Sequence, residues 1–151
     1  MTLRIFTTGG TIDKIYFDQL SAFQIGESQI AEVLREANVT FPYEITPLMR
    51  KDSIDLTDDD REVIRHAVAE APETRIVVTH GTDTMAETGR ALKAVPDKTI
   101  VLTGAMQPVR FRETDAVFNI ATAIAAARLL PPGVTLAMNG RLFDPDRKSV
   151  V

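Results

Sequence analysis

Short apolar runs alternate along this chain with longer stretches in which apolar residues recur every three or four positions. The apolar runs at 3–7, 75–79, 99–102 and 134–138 predict β-strands, and so do the β-branched and aromatic residues of 40–48. The helical spacing predicts helices at 27–37, 57–71, 83–95 and 114–130. Strands and helices that alternate in this order predict an α/β fold.

The predicted sheet is open, mostly parallel and doubly wound, of the flavodoxin-like or Rossmann-like type, with helices on its faces. In such sheets, ligands bind at the carboxyl ends of the strands, where the strand order reverses. For five strands in the flavodoxin order, this point lies between the first and third strands. Glycine turns follow the first, third and fourth strands, and they read T-G-G-T at 8–11, H-G-T-D-T at 80–84 and T-G-A-M at 103–106.

The same periodicity predicts which side of each helix faces the core. For the helix at 57–71, the expected inward positions are Val63, Ile64, Ala67 and Val68. For the helix at 114–130, they are Ala116, Val117, Ile120, Ala121 and Ile124.

Composition narrows the functions that the glycine turns can serve. The chain has 151 residues, which we interpret as a single domain over 1–151, and a formal net charge of −4. A weakly acidic domain is a poor candidate for nucleic-acid binding, which depends on excess lysine and arginine. The absence of cysteine excludes disulfides and thiol catalysis. We expect no signal peptide and no membrane span, because the longest apolar stretch, at 120–130, is short and interrupted, and we predict a cytoplasmic protein.

Two chemistries are considered for the glycine turns. A phosphate-binding loop is not supported, since neither G-x-G-x-x-G nor G-x-x-x-x-G-K-[ST] occurs. A threonine nucleophile such as Thr11 requires a base. Of the two histidines, His66 falls on a helix, and His80 is interpreted as a polar residue that satisfies loop backbone. Tyr16 and Lys148 are therefore the candidate bases.

Acidic and hydroxyl residues at two helix starts have structural interpretations. The acidic run 58–60 complements a helix dipole, and Thr57 forms a capping pair with its last residue, so we prefer this interpretation to a metal site. Thr84 with Glu87 predicts a second capping box. That box leaves 82–83 unexplained, and the spacing alone does not decide between a structural and a functional role for this pair.

Three segments together resemble the bacterial-type L-asparaginases, the asparaginase and glutaminase family. They read T-T-G-G-T-I at 7–12, V-V-T-H-G-T-D-T-M-A-E-T-G at 77–89 and V-L-T-G-A-M-Q-P-V at 101–109. The resemblance continues to 137–149 and covers essentially the whole chain. It implies hydrolysis of L-asparagine to L-aspartate and ammonia through a threonine acyl-enzyme, with weaker activity on glutamine. It also implies no metal or organic cofactor, a small-molecule partner, and a homo-oligomer that is a dimer or a tetramer.

The resemblance assigns roles residue by residue. It implies that Thr11 is the nucleophile and that Thr82, Asp83 and Lys148 form a second triad. Whether Thr82 activates Thr11 or the deacylating water stays open. The substrate-binding residues that it implies are Gly10, Ser53, Gly81, Thr82, Asp83 and Ala105.

This sequence departs from the family in three ways. Typical members are more than twice as long and carry a second α/β domain, which lends an acidic residue to a neighbouring subunit's site. The family's loop tyrosine falls at Phe23, so we expect Tyr16 to supply the missing hydroxyl as a further catalytic residue. Ile54 follows Ser53 where extracellular-type members often have glutamine, which removes one substrate hydrogen bond.

Two other functions are kept beside the hydrolase. The alternative is a non-catalytic amino-acid-binding or regulatory module of the same fold. A third is an amidase-like subunit that feeds ammonia to a partner enzyme, as in tRNA-dependent amidation, which the acidic charge and small size disfavour. We expect a homo-oligomer whose neighbour covers the open site. Phe111, Phe118 and Phe143 are candidate contacts, although each alone is more typical of a core.

Overall fold

The computed structural model describes residues 1–17, 22–26 and 28–146. In chain order, the elements in these ranges are β1 (Leu3–Gly9), β2 (Lys14–Phe17), β3 (Ala22–Ile25), α1 (Ile30–Glu36), β4 (Tyr43–Lys51), α2 (Asp58–Glu70), β5 (Arg75–Thr79), α3 (Met85–Leu92), β6 (Thr99–Thr103), α4 (Ala116–Leu129), β7 (Gly133–Met138) and β8 (Arg141–Phe143). Single turns of 3₁₀ helix follow β1 and β4, at Thr11–Asp13 and Ser53–Asp55.

The strand order confirms the predicted fold. Six strands form one sheet in the order β4-β1-β5-β6-β7-β8, and β2 pairs with β3 in a separate antiparallel hairpin. Neighbours in the large sheet are parallel except for β7 and β8. The five predicted strands therefore follow the flavodoxin order, and β8 adds an antiparallel edge. The ends of β1 and β5 lie side by side at the switch point, as predicted.

Helices cover both faces of the sheet. One apolar cluster contains residues of α1 and α4, such as Ile30 and Ile120, and the other contains residues of α2 and α3, such as Ile64 and Leu92. The central strand β5 contributes to both clusters because its successive side chains point to opposite faces. The core thus forms two layers that fix the carboxyl ends of the strands in place.

The edge position of β4 explains how a strand forms around a proline. Pro47 lies within β4, whose one neighbour in the described part of the sheet is β1. Proline cannot donate a ladder hydrogen bond and is tolerated where a strand lacks a neighbour. The strand extends to Lys51, beyond the predicted end at 48, and so delivers the Ser53 turn to the same sheet edge as the end of β1.

The ends and inner faces of the helices agree only in part with the predictions. The capping box of Thr57 and Asp60 at the start of α2 is confirmed. Val63 is 52% exposed and Val117 is 49% exposed, and Ala121 is also exposed, so these three positions were wrongly expected in the core. Each lies next to a buried stripe but about 100° or more around the helix from its centre.

The candidate contact residues separate into core and surface. Phe143 is 8% exposed and belongs to the core, so it was wrongly considered as an interface residue. Phe118 is 61% exposed and Phe111 is 39% exposed. Within the described ranges, no helix is long and apolar enough to cross a membrane.

Two elements have no counterpart in the predictions. The β2–β3 hairpin follows the first glycine turn, and β8 follows β7 in a region for which no element was predicted. Their strands have only four and three residues, too few for a pattern with period two to stand out. Helix α1 begins at Ile30 rather than at the predicted position 27, which lies outside the described residues.

Candidate active site

The turns after β1 and β5 touch through their glycines. Gly10 has a φ of +88°, a conformation that side chains rarely adopt, and a Cβ placed there would lie 2.5 Å from the backbone nitrogen of Gly81. A side chain at position 10 would therefore push the two turns apart. Thr11 and Thr82 directly follow these glycines, so the contact brings both threonines to the same end of the sheet.

Ser53 joins this contact from β4. It is fully buried, and a Cβ on Gly81 would lie 2.6 Å from the Ser53 Oγ. The Thr84 hydroxyl donates to the Ser53 carbonyl at 2.8 Å, and the Thr84 N–H donates to the Ser53 Oγ at 3.4 Å. The predicted capping box of Thr84 and Glu87 is therefore wrong, because the Thr84 side chain binds the Ser53 turn instead. Glu87 pairs with Arg61 at 3.4 Å.

His80 fixes the turn after β5. Its side chain is fully buried, with Nδ1 2.6 Å from the Gly81 carbonyl oxygen and Nε2 2.7 Å from the Thr88 Oγ1. Burial lowers the pKa of His80 to about 4, so the ring is neutral at neutral pH. A carbonyl only accepts, so Nδ1–H donates to Gly81 and Nε2 accepts from the Thr88 hydroxyl. The predicted role of His80, to satisfy loop backbone, is confirmed.

Two residues at the start of α4 hold the turn after β6. The Asp115 carboxylate accepts from the Met106 N–H at 2.9 and 3.1 Å. Asn119 is fully buried, and its Nδ2 donates to the Gly104 carbonyl at 2.9 Å while its Oδ1 accepts from the Asn139 N–H at 3.0 Å. The sequence analysis missed both residues. A single asparagine inside the apolar run A-V-F-N-I-A was the pattern that could have indicated a buried polar contact.

The turn after β6 also contacts the other two turns. The Thr82 Oγ1 lies 3.9 Å from the Met106 Sδ. The Val109 N–H donates to the Ile12 carbonyl at 3.0 Å, one residue after Thr11. All three glycine turns and the Ser53 turn thus form one connected group at the switch point.

The predicted residues in this group differ in exposure. Thr11 and Thr82 are half-buried, and Asp83 is exposed. Ser53 and Ala105 are buried, with Ala105 1% exposed. Buried residues therefore form the floor of the site, and the two threonine positions and Asp83 border solvent.

The two candidate bases, Tyr16 and Lys148, lie at opposite ends of the sequence. The backbone of Tyr16 pairs with that of Phe23 across the β2–β3 hairpin, so these two positions lie directly opposite each other. Lys148 lies outside the described residues. The chain just before it is attached to α3, where Arg90 donates to the Pro145 carbonyl at 2.9 Å.

Asp13 is an acidic residue of the site region that the sequence analysis did not single out. Its side chain is only 4% exposed, and burial raises its pKa to about 6, against the opposing effects of a Ser28 hydrogen bond and the Arg50 charge. It lies two residues after Thr11, in the same 3₁₀ turn. At neutral pH this turn therefore carries a buried negative charge.

The chemical groups of the site suit acyl transfer. Within the described ranges, no three His, Cys, Asp or Glu side chains lie close enough together to hold a metal ion. The groups at the strand ends that border solvent are the hydroxyls of Thr11 and Thr82 and the exposed carboxylate of Asp83, beside the backbone amides of the glycine turns. Hydroxyl nucleophiles and backbone N–H donors are the parts from which acyl-transfer sites are built.

The fold and this site define a doubly wound α/β protein with hydroxyl-bearing glycine turns at its switch point. A family model described as the N-terminal asparaginase domain matches residues 2–149. The chain therefore belongs to the asparaginase family and corresponds to the N-terminal domain of its members.

Relatives with known names agree with this assignment. The chain is 35% identical over 161 aligned positions to an L-asparaginase of Thermococcus kodakarensis, and the match covers all of the chain and 48% of that protein. It is 41% identical over 73 positions to a glutaminase-asparaginase of Acinetobacter glutaminasificans, covering 45% of the chain and 22% of the relative. The solved structure of the thermostable L-asparaginase of T. kodakarensis matches with a TM-score of 0.85 at 31% identity, over 97% of the chain and 47% of that structure. The chain thus spans about half the length of the T. kodakarensis protein.

Proposed function

We propose that the site hydrolyses the side-chain amide of L-asparagine, with Thr11 as the nucleophile. The observation that carries this proposal is the contact of Gly10 with Gly81, which brings Thr11 and Thr82 to the same end of the sheet. Two hydroxyl residues on buried, hydrogen-bonded turns provide the fixed geometry that nucleophilic catalysis requires. The family of the chain and the names of its relatives support the substrate.

The reaction takes place in two steps. The Thr11 oxygen attacks the amide carbon and loses its proton to a base, and the tetrahedral intermediate expels ammonia after its nitrogen is protonated. The resulting aspartyl ester on Thr11 is then hydrolysed by water to release L-aspartate and restore the hydroxyl. Backbone N–H groups of the glycine turns are suited to stabilise the oxyanion, and the loss of one such donor costs about 3–4 kcal/mol in other enzymes.

Thr82, Asp83 and Lys148 are proposed as the group that moves protons. Pro145 lies beside Gly89 of α3, since a Cβ on Gly89 would meet Pro145 at 3.0 Å. The three residues from Pro145 to Lys148 span at most about 10 Å when extended, whereas the helix rises about 6 Å from its first residue to Gly89. Lys148 is therefore within chain reach of the turn that carries Asp83.

Tyr16 is proposed to replace the tyrosine that the family has at position 23. The hairpin register supports this role, because the backbones of Tyr16 and Phe23 are direct partners. We expect Tyr16→Phe to lower kcat for asparagine by about 10²- to 10⁴-fold, the usual contribution of an acid–base group. Phe23→Ala should lower kcat much less. Equal losses in the two variants would remove Tyr16 from the mechanism.

Substrate binding is assigned to the buried floor and the open rim. We propose that Ser53 and Gly81 bind the α-carboxylate, that the exposed Asp83 binds the α-ammonium, and that Ala105 faces the amide. Ile54 is 73% exposed and offers no hydrogen bond at its position. We expect weak discrimination between asparagine and glutamine, since a site with fewer polar contacts rejects analogues less strongly.

A neighbouring copy is proposed to cover this open rim in a homo-oligomer. The outer face of α4 supports self-association, because Val117 and Phe118 are exposed and Leu129 is 82% exposed. Apolar surface of this kind is typical of an interaction site. A measurement of the mass in solution distinguishes a dimer from a tetramer.

The test is ammonia release from asparagine by the unmodified chain and by variants at position 11. We expect Thr11→Ala to lose at least about 10³-fold in kcat/KM, while Thr11→Ser keeps measurable activity because it retains a hydroxyl. Thr74→Ala is the matched control, since Thr74 is exposed just before β5, at the opposite end of the sheet. Full turnover by Thr11→Ala would refute the nucleophile.

The same assay separates catalysis from binding alone. A thermal shift with asparagine or aspartate but no ammonia from the unmodified chain would favour the amino-acid-binding module. Ammonia release together with the Thr11 dependence supports the hydrolase.

A further inference from the structure

A second pocket lies beside the edge strand β4, where it passes the turn that follows β1. It has a volume of about 200 Å³, and Asp13, Ser28, Ile45, Pro47, Met49 and Arg50 are among its lining residues. Thr11, Ser53, Gly81 and Thr82 do not line it, so it is separate from the candidate active site. Pockets for drug-sized ligands occupy roughly 300–1,000 Å³, so this volume suits a smaller molecule.

The inner wall of the pocket is acidic. The Asp13 side chain is 4% exposed and accepts a hydrogen bond from the Ser28 hydroxyl. In the described part of the chain, no lysine or arginine nitrogen lies within the 4 Å ion-pair distance of its carboxylate. Burying a carboxylate without a contacting cation is costly, and a ligand that brings a positive charge to Asp13 removes that cost.

Another part of the wall is apolar. Ile45, Pro47 and Met49 of β4 all line the pocket. Pro47 offers no N–H, and the side chains of all three present carbon and sulfur atoms. This wall suits a short aliphatic group and disfavours an amide, whose hydrogen bonds would be left unmade there.

The rim of the pocket carries a positive charge. Arg50 is exposed and is one of the residues that line the pocket. A guanidinium has five N–H donors and can serve a ligand carboxylate in addition to other partners. The pocket thus offers an anion, an apolar surface and a cation on its walls.

We propose that this pocket binds a small aliphatic α-amino acid in its zwitterionic form. The ligand ammonium contacts Asp13, its carboxylate contacts Arg50 and its side chain packs on Ile45 and Met49. This site is distinct from the one proposed to hydrolyse asparagine, and its ligand differs from asparagine in lacking a side-chain amide.

The position of Asp13 gives the ligand a route to the rest of the molecule. The Asp13 N–H donates to the Gly10 carbonyl at 3.1 Å, and the Gly26 N–H donates to the Asp13 carbonyl at 2.9 Å. A ligand on the Asp13 side chain therefore holds a residue that joins the first glycine turn to the base of the β2–β3 hairpin. Binding should stabilise this junction.

The proposal is tested by calorimetric binding of L-leucine at pH 7.5, with saturating L-aspartate present to occupy the candidate active site. Isopentylamine and 4-methylpentanoate are the matched probes, since each keeps the aliphatic group and lacks one of the two charges. We expect leucine to bind at least tenfold more tightly than either probe. Equal affinity of leucine and isopentylamine, or no binding of leucine at 10 mM, would overturn the proposal.

Variants locate the binding on the pocket walls. Asp13→Asn should weaken leucine binding at least tenfold and Arg50→Gln several-fold. Asp59→Asn and Arg35→Gln are the controls, because both residues are exposed on other elements, and these variants should bind leucine as the unmodified chain does. Undiminished binding by Asp13→Asn would place the ligand elsewhere and contradict the proposal.

A failure of the proposed hydrolase gives a different pattern. Thr11→Ala should bind leucine normally even though it releases no ammonia. Leucine binding without any asparaginase activity in the unmodified chain would refute the hydrolase and leave the second site supported.

Discussion

The two turns at the centre of the sheet each bury one titratable side chain, but they treat its charge in opposite ways. After β5, His80 is neutral at neutral pH, with a pKa of about 4, and both of its ring nitrogens have hydrogen-bond partners. After β1, Asp13 has a pKa of about 6 and is mostly ionised at neutral pH, although its side chain is 4% exposed. Burial favours the state that His80 has and opposes the state that Asp13 has.

The turn after β5 is therefore a rigid support, whereas the turn after β1 can respond to a ligand or to a change in pH. The turn with His80 is satisfied without any ligand, so it can hold Gly81 and Thr82 in one position. The turn with Asp13 carries a charge that a ligand or a proton can neutralise. The turn that carries Thr82 is thus held rigidly, whereas the turn that carries Thr11 also contains the buried charge of Asp13.

The largest effect is expected from removing the rigid support. His80→Ala leaves a cavity and two unpaired groups, Gly81 O and the Thr88 hydroxyl, and should lower the free energy of unfolding by about 3–4 kcal/mol. His66→Ala is the control, because His66 is exposed on α2, and its effect should stay within about 0.5 kcal/mol. Urea denaturation measures both. Similar small losses for the two variants would show that His80 does not stabilise the turn after β5.

The next effect has the opposite sign. Asp13→Asn keeps the size of the side chain and removes its charge, so it should raise the free energy of unfolding at pH 8 by up to about 3 kcal/mol, the equivalent of a pKa raised from 3.8 to about 6. Destabilisation by this substitution at pH 8 would show that neighbouring groups compensate the Asp13 charge. Burial would then not oppose the state of Asp13, and the difference from His80 would not hold.

The pH dependence of that gain follows from the direction of each shift. The raised pKa of Asp13 gives stability that is present below pH 3.8 and lost as the pH rises through about 6, so the advantage of Asp13→Asn should shrink on acidification and vanish near pH 4. The lowered pKa of His80 gives stability that is present above pH 6.5 and lost as the pH falls through about 4. The two contributions oppose each other in the unmodified chain. Unfolding of Asp13→Asn should therefore be more sensitive to acid, measured by urea denaturation from pH 8 to pH 4.

The smallest effects should come from the hydroxyls that contact these two groups. Thr88→Val removes the donor to the His80 Nε2 and leaves a buried acceptor unpaired, with an expected cost of about 1–2 kcal/mol at any pH above 6.5. Ser28→Ala removes the donor to Asp13 and should cost about 1 kcal/mol at pH 8 and less at pH 4, where the carboxyl is protonated. Denaturation at the two pH values compares the variants. An equal pH dependence in both would show that the two turns do not differ as described.

The sequence predicted most of the sheet because its strands are long and buried. The runs R-I-V-V-T and T-I-V-L-T lie between helical patterns, and their alternation with helices determines the topology. The β2–β3 hairpin and β8 were not predicted, since strands of three or four residues show too little periodicity. The exposed positions Val63 and Val117 show that a periodic stripe gives the buried face only to within one residue on either side.

The residues of the candidate site could be predicted where they belong to a sequence motif. Residues whose roles depend on tertiary packing were harder to predict. Gly10 and Gly81 are in contact, as their positions after the first and third predicted strands implied. Ser53 was named by the family resemblance, and it reaches this contact because β4 extends beyond the predicted end at 48. Asp115 and Asn119 hold the third turn through contacts between the start of α4 and the loops after β6 and β7. In the sequence, only the position of Asn119 within an apolar run sets it apart from surface polar residues, and nothing sets Asp115 apart. The Thr84 hydroxyl had a local capping interpretation, yet it binds the carbonyl of Ser53, which lies 31 residues earlier. Asp13 differs from an exposed helix-turn acid only through its burial, which the sequence does not show.

The central claim is that the first glycine turn presents Thr11 to an amide carbon. It is tested most directly by mixing the protein with L-asparagine, quenching in acid within milliseconds to seconds, and mapping the modified peptide by mass spectrometry. We expect an aspartyl ester on Thr11 that forms before steady-state ammonia release and is absent from Thr11→Ala. An ester found on Thr82, or ammonia release at full rate with no ester on either threonine, would contradict it.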